Sequence, residues 1–118
     1  MNLLNESLLE FETHLKWEAV DEEWQTRRES WVGDIQLATS PVWLAQLLIE
    51  LETHLIWEAV SDDWKEIRLS WVEKCELAEN FAQVAECLIE LECHTSWDAV
   101  DHTWRERREQ WLLEVLDN

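Results

Sequence analysis

Apolar residues recur along this chain in two helical phases that alternate. Leu44, Leu48, Leu51 and Leu55 are spaced 4, 3 and 4, which places them on one stripe of a helix. Trp64, Trp71 and Cys75, with Ile67 beside them, form a second stripe. At about 100° per residue the second stripe would lie nearly opposite the first on a continuous helix. A phase change of that size predicts a break. Asp21, Ser61 and Asp101 mark the same point in three places along the chain, and Asp and Ser are good helix N-caps. Acidic residues crowd the turn that follows in the first two places, as Glu22 and Glu23 and as Asp62 and Asp63. That suits the positive end of a helix dipole. The pattern predicts helices over about residues 4–20, 42–60 and 82–100, and a second set over about 22–37, 62–77 and 102–116. One kinked helix per unit, giving a three-helix bundle with a split core, is the alternative.

The alternation is a repeat. Leu8 to Val32, Leu48 to Val72 and Leu88 to Leu112 align at an offset of 40 with no gap, and ten positions carry one residue in all three copies. A period in this range signals an architecture in which no unit buries its core alone. The repeats run over 1–40, 41–80 and 81–118 within one domain. Ser40-Pro41 reads as an N-cap followed by Pro at the first helical position, and Asn80-Phe81 is the same site one period later. Asn2 or Asn5 starts the first unit. The expected fold is all-α: three tandem helix pairs, six helices in total, forming a short α-solenoid-like array or a compact bundle. In general plan this resembles helix-pair repeats such as the tetratricopeptide and HEAT repeats. The tetratricopeptide pattern of Trp, Leu-Gly, Tyr and a late Pro is absent.

Composition narrows the class. One Gly and one Pro in 118 residues exclude a loop-rich or all-β protein, and 47% apolar content argues against disorder. Each repeat holds nine acidic and three basic residues, a net of −6, and the chain carries −18. Such a surface repels nucleic acid and anionic membrane and attracts basic partners. The expected partner is therefore a basic protein or peptide, with no direct nucleic acid and no membrane; the bland alternative is that the charge serves solubility. Cys75, Cys87 and Cys93 are odd in number and lack the CxxC spacing of zinc or redox motifs. Three reduced thiols point to an intracellular, reducing compartment, cytoplasmic or nuclear. The N-terminus has no basic segment of the signal-peptide kind, and no apolar run approaches a membrane span.

The invariant positions fall into two constellations. The first helix of each repeat carries Glu10, His14 and Trp17, repeated as Glu50, His54, Trp57 and as Glu90, His94, Trp97. The second carries Trp24, Arg28 and Trp31, repeated as Trp64, Arg68, Trp71 and as Trp104, Arg108, Trp111. Spacings of 3 and 4 put each trio on one helical stripe. The expectation is a structural latch: Arg28 stacks between two indoles and pairs with Glu10 or Glu12, and likewise in each copy. A ladder of Trp and Arg facing a ligand is the functional counterpart. Glu and His at i, i+4 supply two metal ligands at most, and no HExxH motif is present, so the expected role of each His is a hydrogen bond to a carboxylate at a repeat interface. No metal and no cofactor are expected.

Signs of catalysis are poor. Carboxylates are everywhere, Ser40 and Ser61 read as caps, and Gly33 is the only glycine, which excludes a phosphate-cradling loop. The expected function is a non-enzymatic, acidic protein-interaction module. Its contacts are placed on Glu22, Glu23, Asp62 and Asp63, and on Trp43, whose equivalents Leu3 and Gln83 show that the repeat does not require it. One alternative is a nucleic-acid mimic that occupies the basic groove of a DNA- or RNA-binding protein. A second is a self-assembling element, because both terminal repeats keep the internal pattern and their ends would then stack as a homo-oligomer.

Overall fold

The junctions are built by their caps. Ser40 Oγ accepts from the Trp43 N–H at 3.1 Å with Pro41 in the first turn, and Asn80 Oδ1 accepts from the Gln83 N–H at 2.9 Å. In the computed structural model, which describes residues 3–117, the chain forms six α-helices. They are α1 (Leu3–His14), α2 (Glu22–Leu37), α3 (Pro41–Thr53), α4 (Trp64–Glu76), α5 (Phe81–His94) and α6 (Trp104–Leu116). The break expected at Asp21, Ser61 and Asp101 is present in every copy. Asp21 and Asp101 accept from the N–H groups of Trp24 and Trp104, each at 3.1 Å.

The first helix of each pair is shorter than the apolar pattern predicts. It stops near residue 14, 53 or 94, and a 3-10 turn follows at Trp17–Ala19, Trp57–Ala59 or Trp97–Ala99. The reason lies in another repeat. The Lys16 N–H donates to Ala99 O at 2.9 Å, Ile56 N–H to Ala19 O at 3.1 Å, and Ser96 N–H to Ala59 O at 2.8 Å. Isolated antiparallel bridges join Val20 to Leu55, Val60 to Thr95 and Leu15 to Val100. Extended backbone at these positions is stabilised by hydrogen bonds that a continued helix could not make. Val20, Val60 and Val100 are β-branched and suit it.

These bonds run from repeat 1 to 2, from 2 to 3 and from 3 back to 1, so the copies close into a three-fold ring. Helix α6 packs on α1 as α2 packs on α3 and α4 on α5. Each second helix lies over the groove between its own first helix and the next one, and α5 touches both α1 and α3. The inner helices therefore bury more than one face: α3 buries Leu44, Ala45, Leu47, Leu48 and Leu51. The outer helices bury one stripe, which in α2 is Trp24, Trp31 and Ile35. One continuous apolar cluster runs through all three copies, beside a small cluster of alanines at the turns. Of the two forms left open by the sequence, this is the compact bundle. The principal extents are 31 × 29 × 29 Å.

Closure corrects one inference. The terminal repeats keep the internal pattern because they pack on each other, so the homo-oligomer argued from unsatisfied ends loses its basis. Asn5 has a different role from the expected helix start. It lies buried inside α1 and donates through Nδ2 to Ile35 O (2.7 Å) and Ala38 O (3.0 Å), supporting the end of α2. Asn2, the other expected start, lies outside the described residues. Among the described residues no helix is long and apolar enough to cross a membrane.

Candidate interaction face

The ten invariant positions divide by depth. Glu12, Glu52 and Glu92 are buried carboxylates, each held by two residues of its own repeat. Glu12 accepts from Arg28 Nε at 2.8 Å and from Trp24 Nε1 at 3.0 Å. Glu52 accepts from Arg68 Nε (2.7 Å) and Trp64 Nε1 (2.8 Å), and Glu92 from Arg108 Nε (2.6 Å) and Trp104 Nε1 (2.9 Å). A buried charge is tolerated only with such partners. The hydrogen bond raises each of the three guanidinium pKa values, against the opposing effect of burial.

The latch differs in detail from its expected form. The Arg is not stacked between the two indoles of its helix. Trp24 and Trp31 pack edge-on against each other at 5.3 Å, as do Trp64 and Trp71 (5.2 Å) and Trp104 and Trp111 (5.2 Å). The second indole of each pair fastens its repeat to the next. Trp31 Nε1 donates to Leu47 O, Trp71 Nε1 to Cys87 O and Trp111 Nε1 to Ser7 O, all at 2.9 Å.

Glu10 and His14 also work between repeats. Glu10 pairs with Arg107, and Glu50 with Arg27, while Glu90 meets Lys74 Nζ at 3.5 Å. His14 Nδ1 lies 2.9 Å from Asp101, His54 Nδ1 lies 2.8 Å from Asp21, and His94 Nδ1 lies 2.8 Å from Ser61 Oγ. Each imidazole packs on the first indole of the preceding repeat, at 4.8 Å for His14 on Trp104. Burial pulls the Asp101 pKa upward. Hydrogen bonds from His14 and Thr103, the His14 charge and the Trp104 N–H outweigh it and hold the carboxylate below its ordinary value. Among the described residues no group of three or more His, Cys, Asp or Glu side chains is placed to hold a metal ion. Cys75 and Cys87 are buried between α4 and α5. The hydrogen bond to Cys87, then burial, push the Cys75 thiol well up.

Trp17, Trp57 and Trp97 are the exception. They do not share a helical stripe with Glu10 and His14 or their equivalents, because each begins a 3-10 turn. They are 52%, 48% and 46% exposed. Each indole stands on the flank of its own repeat, around the rim of the backbone ring described above. Ala19, Ala59 and Ala99 pack together at the centre of that ring. A depression of about 190 Å³ opens there, and Glu18, Glu58 and Asp98 line it beside the alanines. On the flank, a second depression of about 270 Å³ is lined by Trp17, Thr13, Leu15 and the Glu12–Arg28 pair; its counterpart at Trp57, about 210 Å³, is lined by the equivalent residues.

Of the expected contact residues, Glu22, Glu23, Asp62 and Asp63 are exposed, just beyond this ring. Trp43 is partly buried and packs against the core at the repeat junction, at the other end of the helices, so it offers no exposed anchor. The sequence reading missed Arg27, Arg107 and Lys74. A signal was present: position 27/67/107 reads Arg, Ile, Arg, while 34/74/114 reads Asp, Lys, Glu. Where the cation leaves one position it appears at the other.

A family model described as "Domain of unknown function (DUF8799)" matches residues 1–55. That stretch is the first repeat together with the helix on which it packs, through Leu55, the bridge partner of Val20. No curated protein and no solved structure matches the chain.

Proposed function

We propose that this protein is a non-enzymatic, acidic interaction module that binds a basic peptide or protein surface at its turn end. One observation carries the reading. Three half-exposed indoles stand around the rim of that end, each in a depression of its own repeat and each followed in sequence by a carboxylate, Glu18, Glu58 or Asp98. Trp is a favoured anchor in interfaces, and in folded chains it is highly buried on average. Charge supplies steering and Trp burial supplies affinity that survives salt. Glu22, Glu23, Asp62 and Asp63 extend the acidic rim.

The test uses a fluorescein-labelled decalysine peptide and anisotropy at low and high salt, with the wild type and the triple variant W17A/W57A/W97A. The expected result is binding at low salt by both, with a salt-resistant part present only in the wild type. No binding at low salt contradicts the module. Complete and equal loss at high salt favours the nucleic-acid-mimic alternative.

A further inference from the structure

The three exposed indoles are not equivalent. Lys65 Nζ lies 5.4 Å from the centroid of the Trp57 ring. Arg105 Cζ lies 5.2 Å from that of Trp97, with Arg108 Cζ at 6.0 Å. Lys65 and Arg105 occupy one repeat position, and its equivalent in the first copy is Gln25. Among the described residues no Lys or Arg head group lies over Trp17, which is also the most exposed of the three. Two copies thus carry their own cation on the indole face, and one copy lacks it.

The surroundings of Trp17 suit a cation from outside. Arg28 is neutralised by the buried Glu12 at 2.8 Å. Lys16 precedes Trp17 but is not seated over its ring, and an exposed carboxylate, Glu18, follows. Glu29 holds the position that Glu109 holds beside Trp97 and Arg105, and it too is exposed. A cation over an indole with a carboxylate nearby is the arrangement that repeat 3 makes internally.

We infer that the Trp17 face, where Gln25 and Glu29 hold the repeat positions of Arg105 and Glu109, is the seat for one lysine or arginine side chain of the basic partner, supplying the cation that Lys65 and Arg105 supply in the other two copies. This rests on the interaction-module reading and names its anchoring point.

The experiment measures decalysine affinity by anisotropy for the wild type and six variants, each checked for helicity. Trp17→Ala should weaken binding about 2- to 5-fold, the range of an exposed cation–π contact. Trp57→Ala, whose ring is already occupied, should change it little. Gln25→Lys should match Trp17→Ala, and exceed the effect of Gln36→Lys, which adds the same charge at the far end of α2. Lys65→Gln should strengthen binding beyond the gain from a control that removes a distant charge, Lys74→Gln. Equal loss in W17A and W57A, or equal loss in Q25K and Q36K, overturns the inference while leaving the module intact. Failure of the wild type to bind at low salt overturns the module, and the inference with it.

Discussion

Trp24 and Trp31 on one side, and Trp17 on the other, have the same standing in the sequence and opposite fates in the fold. All three are invariant across the copies. The first two are 0% exposed, with both indole N–H groups bonded, whereas Trp17 is half in solvent. Repetition within a chain therefore does not separate residues that hold a fold from residues displayed by it. Depth does, and depth is set by a neighbour. Trp31 is buried because the next repeat supplies Leu47 as its acceptor; Trp17 sits on a turn whose backbone, not its side chain, joins the ring.

The largest expected difference is in stability. Trp31→Ala should cost about 3–5 kcal/mol, a large share of the 5–15 kcal/mol of a typical domain. Trp17→Ala should cost about 1 kcal/mol or less. Urea titration followed by circular dichroism measures both, and equal losses would break the distinction. Next, Glu12→Ala leaves Arg28 and the buried Trp24 N–H without their acceptor. A loss of about 3–5 kcal/mol is expected, as for breaking a buried pair from one side.

A smaller effect sharpens the account of the interfaces. Arg27→Ile should cost about 1 kcal/mol or less, because it leaves Glu50 and Asp34 without their shared cation at a partly exposed site. Adding Asp34→Lys rebuilds the arrangement of Ile67 and Lys74 in the second interface and should restore most of the loss. A double-mutant cycle reads the coupling, and simple additivity would contradict it.

The smallest effect is one of pH. The folded pKa of Asp101 is depressed, so its contribution is fully present above the unfolded value of about 3.9 and is lost as pH falls through the lower folded value. The stability difference between wild type and Asp101→Asn should therefore shrink below about pH 4. Comparison with the variant removes the larger effect of neutralising the other carboxylates. A difference that grows on acidification would have the wrong sign.

The parts of this fold that a single repeat determines were legible in its residues. The Ser40-Pro41 cap, the break at Asp21, and the pairing of Arg28 with a first-helix glutamate all lie within one repeat or its junction. What escaped depends on where the third copy lands. The early stop at His14 follows from Lys16 bonding to Ala99, and the burial of Trp111 follows from Ser7. Periodicity along one helix carries no information about either contact. The same holds for the candidate face. Trp17 continued the stripe of Glu10 and His14 only on a helix that, in the fold, has already ended. The substitution of Gln25 for Lys65 and Arg105 was visible as letters, but it gained meaning only once those cations were found over their indoles.

Ring closure is the claim on which the rest depends, and the Trp111 indole N–H reports it directly. It donates from the last repeat to Ser7 O in the first, as Trp31 and Trp71 donate to their following repeats. Hydrogen exchange at the indole positions, followed by nuclear magnetic resonance, should show Trp111 protected to the same degree as Trp31 and Trp71, with Trp17, Trp57 and Trp97 exchanging fast. Trp111 exchanging as fast as Trp17, while Trp31 and Trp71 stay protected, would mean an open array and would contradict the ring.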